Sequence, residues 1–80
     1  MDKKKSILVV DDDSAILKYT MRILQSEGYD VDVAETGYEA MEKSNGHVYN
    51  LALLDIKLPD MEGTELFTGK GIQFMFVYNH

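Results

Sequence analysis

The chain contains no cysteine, so neither a disulfide staple nor a thiolate metal site supports it, and the reading this favours is a protein of the reducing cytoplasm. Long apolar runs are missing too. After Lys3, Lys4 and Lys5 the first such run is Ile7 to Val10, against ~7 to 15 residues for the apolar part of an export signal and ~20 for a membrane span. Neither export nor membrane insertion is expected. Basic charge is scarce: 8 Lys and Arg face 14 Asp and Glu, a net charge of −6. A nucleic-acid surface needs a basic patch to neutralise phosphates, so no nucleic-acid partner is expected, and the three lysines read as solvating the start of the chain. There is no tandem repeat, no low-complexity segment and no glycine-rich phosphate loop after the first apolar run. Asp11 and Asp12 stand where such a loop would be.

What is present suits one small globular domain. The 80 residues are too few for two domains, and 45% hydrophobic with 28% charged residues is unlike a disordered or fibrous chain. A core of this size supplies only ~3 to 5 kcal/mol. Marginal stability, or association, is the expectation.

Ile7 to Val10 is a short unbroken apolar run that ends abruptly in acids, as in a strand buried on both faces of a parallel sheet. From Ser14 the pattern turns helical. Ile16, Thr20, Ile23 and Leu24 share a face with Tyr19 beside them, Ser14 caps the start, and Gly28 ends the helix at a left-handed position. Val31 and Val33 alternate with Asp30 and Asp32, the pattern of a half-exposed strand near a sheet edge. Thr36-Gly37 breaks it, and Tyr38 to Lys43 reads as a short helix with Ala40 and Met41 facing inward. Leu51 to Leu54 is a second buried run, again ending in an acid, Asp55. Strand, helix, strand, helix, strand with short links predicts an α/β fold with a parallel sheet of three strands and right-handed crossovers.

In open α/β sheets the chemistry sits outside the carboxyl ends of the strands. That is where Asp11, Asp12 and Asp55 fall. A single acid after a strand is ordinarily a solvated loop residue, but two groups at equivalent strand ends are expected to converge. Several carboxylates within a few ångströms repel one another unless a cation holds them. Hard carboxylate and carbonyl oxygens with no Cys or His nearby in sequence favour Mg²⁺ over zinc. His47 and His80 read as solvated loop and tail residues. Mg²⁺ held by a few protein oxygens and waters keeps positions open for a phosphoryl oxygen.

The run Ile7-Leu8-Val9-Val10-Asp11-Asp12-Asp13, followed by Leu53-Leu54-Asp55-Ile56-Lys57-Leu58-Pro59-Asp60-Met61-Glu62-Gly63, resembles a response-regulator receiver domain over roughly residues 5–67. The stretch from Glu27-Gly28-Tyr29 through Thr36-Gly37-Tyr38-Glu39-Ala40 resembles the family's second strand and helix. The resemblance implies a receiver-type, flavodoxin-like sheet and a phosphoacceptor of a two-component system, not an enzyme. By the same resemblance Asp55 is the nucleophile and phosphorylation site, taking a phosphoryl group from a histidine kinase or phosphotransfer protein. It also implies that Asp12 and Asp55 bind Mg²⁺ directly, that Asp11 acts mainly through water, and that the backbone carbonyl of Lys57 supplies another oxygen. Asp13 reads as loop or helix start, and Pro59 and Gly63 shape the loop leaving the site.

The family pattern continues with a longer third helix, a strand ending in Ser or Thr and a further strand ending in Lys. The reading here is a truncated receiver over residues 1–80, with a divergent segment at 68–80; Thr64, Thr68 and Lys70 are not assigned the missing roles. The family's strand order would leave the third strand as an open edge. Ile72 to Tyr78 is strand-like and apolar on both sides, and is expected to cover an edge. Because a parallel crossover needs about a dozen residues and Thr64 to Gly71 offers only a stub, the segment is expected to cross to a second chain by domain swapping, giving a homodimer or larger oligomer. The competing reading is a switch-defective fragment that serves as a self-associating or binding module.

Overall fold

The computed structural model describes residues 4–55 and the backbone of 72–78. Its elements run β1 (Ser6–Val10), α1 (Ser14–Ser26), β2 (Asp30–Ala34), α2 (Gly37–Asn45), β3 (Tyr49–Asp55) and β4 (Ile72–Tyr78). All strand pairs are parallel and the order is β2-β1-β3-β4. Three strands and two helices follow the expectation from sequence. β1 lies between β2 and β3, and alternation on its pleat sends Leu8 and Val10 to one face and Ile7 and Val9 to the other. Leu8 and Val10 pack with Ala34, Ala40, Tyr49, Ala52 and Leu54, whereas Ile7 and Val9 pack with Leu17, bordered by Leu24, Val31, Val33, Leu51 and Leu53. Burial on both faces is why the run Ile7–Val10 carries no polar residue.

Helix α1 corrects two details. Its cap is Asp13, not Ser14: the Asp13 carboxylate accepts from the backbone N–H of Ala15 at 2.9 Å and of Ile16 at 3.2 Å. Its inward face is Leu17, Thr20, Met21 and Leu24, rotated from the expected stripe, while Tyr19 and Ile23 are 70% and 45% exposed. The helix ends as expected at Gly28, with φ of +96°. The N–H of Gly28 donates to Gln25 and that of Tyr29 to Leu24, the paired bonds that close a helix around a left-handed residue. β2 is the edge strand its alternating acids predicted, with Asp30 and Asp32 exposed and Ala34 buried. In α2 Ala40 is buried and Met41 packs against the core.

For Ile72–Tyr78, expected to cover a sheet edge by crossing to a second chain, the structure shows the edge covered within one chain. β4 pairs in parallel with its own β3, from Tyr49↔Ile72 to Asp55↔Tyr78. The physical reason is the length of the link. The connection runs from Ile56 to Gly71, 16 residues, which exceeds the dozen or so a parallel crossover needs; the stub from Thr64 is only its second half.

A polar contact ties the start of β3 to the middle of β2. The Tyr49 hydroxyl, on a side chain 1% exposed, donates to the Asp32 carboxylate at 2.6 Å, and the His47 ring, itself exposed, lies 4.4 Å from the Tyr49 ring. Burial first, then the hydrogen bond and charge of Asp32, push the phenol well above its usual range. A proton held more tightly in the folded state stabilises below the unfolded value of about 10, and that contribution is lost as pH rises beyond it. Tyr49→Phe is expected to cost roughly 1 to 2 kcal/mol at neutral pH and to flatten the alkaline loss of stability. Urea denaturation at pH 7 and pH 10.5 measures both; an alkaline limb equally steep in the variant assigns the effect to another group.

Candidate metal and phosphoacceptor site

The register of the two central strands places the acids. Val10 of β1 lies opposite Leu54 of β3, so the residues that follow, Asp11 and Asp55, leave neighbouring parallel strands side by side at their carboxyl ends. Asp12 comes one residue later. Asp11 is fully buried, Asp55 is 4% exposed and Asp12 is exposed. One carboxylate oxygen from each of the three lies within 4.8 Å of the others. The convergence expected from sequence is met for all three.

Local backbone bonds fix the pair on β1. The Asp11 N–H donates to the Ala34 carbonyl at 3.1 Å, one rung beyond the β1–β2 register. The Asp11 carboxylate accepts from the Asp13 N–H at 2.9 Å, and Asp13 in turn starts α1. Asp13 is therefore a structural acid that turns the chain, as its reading at the helix start anticipated. Among the described residues every buried side-chain nitrogen or oxygen has a hydrogen-bond partner.

The donor set fits a hard divalent cation. Three carboxylates gather at one point, two of them withdrawn from water, and each offers an oxygen; the cluster contains neither sulfur nor imidazole. Oxygen-only ligation with a partly open side suits Mg²⁺, which keeps several waters. The Lys57 carbonyl, the loop expected at Pro59 and Gly63, and Thr64, Thr68, Lys70 and His80 lie outside the described residues.

The support behind the site escaped the sequence reading. Thr36 caps α2, accepting from the Glu39 N–H at 3.1 Å, while the Glu39 carboxylate accepts from the Glu35 N–H at 2.9 Å. The signal was legible as Thr-x-x-Glu ahead of a helix. Lys43, one turn on, donates to the Val33 carbonyl and pairs with Glu39 at 3.7 Å. No sequence rule points to that bond.

The structure is thus a parallel α/β sheet with acids gathered at the carboxyl ends of two adjacent central strands. The chain belongs to the response regulator receiver domain family, whose model matches residues 7–69. Among solved structures it is similar to a CheY-like receiver domain protein from Methanospirillum hungatei, 37% identical over 94% of this chain and 82% of that one, with a TM-score of 0.79. It is also similar to the response regulator TrrA from Thermotoga maritima in complex with Mg²⁺-BeF, 45% identical over 78% of this chain and 54% of that one, TM-score 0.72. Among curated proteins, the transcriptional regulatory protein CpxR homolog of Haemophilus influenzae is 41% identical over 74% of this chain. The chain spans about a quarter, 26%, of that relative's length. Among the described residues no helix is long and apolar enough to cross a membrane.

Proposed function

We propose that the chain is a phosphoacceptor of a two-component system, taking a phosphoryl group on Asp55 from a histidine kinase or phosphotransfer protein in the cytoplasm. The convergence of Asp11, Asp12 and Asp55 at adjacent strand ends carries the reading. A carboxylate oxygen of Asp55 attacks the phosphorus of a phosphohistidine. The P–O bond to Asp55 forms as the P–N bond breaks, and the imidazole leaves with the electron pair. Asp12 and Asp55 would hold Mg²⁺ directly, with the Lys57 backbone carbonyl, and Asp11 through water. When bound, the ion offsets negative charge on the phosphoryl oxygens. That the Thermotoga relative holds Mg²⁺-BeF supports the choice of ion.

Acetyl phosphate with Mg²⁺ is expected to add one phosphoryl group to the intact mass, and neither Asp55→Asn nor a chelated sample is expected to gain it. An adduct that persists undiminished in Asp55→Asn places the chemistry elsewhere.

A second reading concerns association. β4 is the outermost strand of the sheet, and its sequence, Ile-Gln-Phe-Met-Phe-Val-Tyr, is apolar at alternating positions of both sets. A strand with no neighbour beyond it among the described residues pairs readily with another chain. The full chain is therefore expected to form a homodimer or larger oligomer through Ile72–Tyr78. Light scattering of the full chain beside a version ending at Thr68 tests this. A folded monomer at micromolar concentration for the full chain removes the idea, and an unchanged oligomer after shortening moves the interface off the tail.

A further inference from the structure

We propose that Lys43 and Glu39 of α2 form a clamp on the end of β2 that positions Asp11, and so tunes the cation affinity of the acidic site; the proposal rests on the reading of Asp11, Asp12 and Asp55 as that site. β2 is an edge strand whose one strand neighbour, among the described residues, is β1. Its backbone groups alternate sides, as in any parallel strand. The Asp30 N–H donates to Lys5 at 2.9 Å and the Ala34 carbonyl accepts from Asp11 at 3.1 Å, so Asp30, Asp32 and Ala34 face β1 while Val31 and Val33 face outward. Among the described residues the outward carbonyl of Val33 has no strand to pair with. Lys43 fills that place, its ammonium donating to the Val33 carbonyl.

The second half of the clamp acts on the other side of Ala34. Glu39 pairs with Lys43 at 3.7 Å through one carboxylate oxygen and accepts from the Glu35 N–H at 2.9 Å through the other. Val33 and Glu35, the two neighbours of Ala34, are thus both held by α2. Between them the Ala34 carbonyl holds the Asp11 N–H. Edge strands fray from their ends, and fraying here removes the bond that fixes a fully buried carboxylate. Mg²⁺ demands near-ideal geometry at short oxygen distances, so a loosened Asp11 weakens the site even where the rest of the fold is intact.

The test uses the full chain and four variants: Lys43→Ala, Lys43→Arg, Glu39→Gln, and Met41→Ala as a control on the same helix that loosens the core cluster containing Ala34 while leaving both polar contacts to β2 in place. Two quantities are read: Mg²⁺ affinity by calorimetric titration, and exchange of the Asp11 amide proton by NMR without metal. Lys43→Ala is expected to weaken Mg²⁺ binding roughly three- to tenfold, at or below the range for residues that orient a ligand directly, and to speed Asp11 exchange relative to Leu8. Glu39→Gln should do the same more weakly. Lys43→Arg should restore affinity to within about twofold, and Met41→Ala should leave Asp11 exchange in step with Leu8. Unchanged Mg²⁺ affinity in Lys43→Ala, or an equal loss in Met41→Ala, overturns the clamp. Absence of Mg²⁺ binding in the wild type overturns the site reading instead, and the Asp11 exchange then decides the clamp by itself.

Discussion

Mg²⁺ is expected to raise the melting temperature of the wild-type chain, and Asp55→Asn together with Asp12→Asn is expected to abolish the rise. Oxygens of three carboxylates lie within 4.8 Å of one another in the folded state, and the unfolded chain has no such cluster. A cation that binds only the folded state stabilises it by mass action, roughly 1.4 kcal/mol at tenfold over the dissociation constant, or about 6 to 11 °C for a domain of this size. The doubly substituted chain should also start from a higher melting point without metal, because two mutually repelling charges are gone. Calorimetric melts with and without Mg²⁺ measure both effects. Equal shifts in the two proteins, or none in the wild type, rule out the metal site.

Leu8→Ala is expected to abolish cooperative folding. Leu8 is fully buried on the central strand and packs with Val10, Ala52 and Leu54. Truncating a buried leucine costs roughly 2 to 5 kcal/mol, which is comparable to the ~3 to 5 kcal/mol that so small a core supplies. Circular dichroism through a urea titration should show a broad, non-cooperative change in place of the wild-type transition. A midpoint close to that of the wild type means that stability comes from somewhere other than the sheet.

The parts of this fold that were legible are those where chemistry forces the sequence. A strand buried on both faces admits no polar residue, so Ile7–Val10 and Leu51–Leu54 announced the sheet. Gly28, at φ of +96°, marked a helix end that other residues adopt only under strain. The three acids were readable because each follows an apolar strand, and parallel register does the rest. Other features depend on what lies across space. The inward face of α1 was misjudged by about one residue because helical periodicity cannot separate Ile16 from Leu17 when both are apolar; only packing on β1 singles out Leu17 as buried. The place of β4 depends on a link whose usable length was undercounted. Lys43 on the Val33 carbonyl joins an exposed-looking lysine to a backbone atom ten residues earlier, and no local pattern encodes it.

The central claim is that Asp55 carries the phosphoryl group, and the most direct measurement locates it chemically. The chain is treated with acetyl phosphate and Mg²⁺, reduced with borohydride, which converts an acyl phosphate to an alcohol, and sequenced by tandem mass spectrometry. Homoserine is expected at position 55, with unmodified aspartate at 11, 12 and 13. Homoserine at one of those positions with aspartate intact at 55 would contradict the claim.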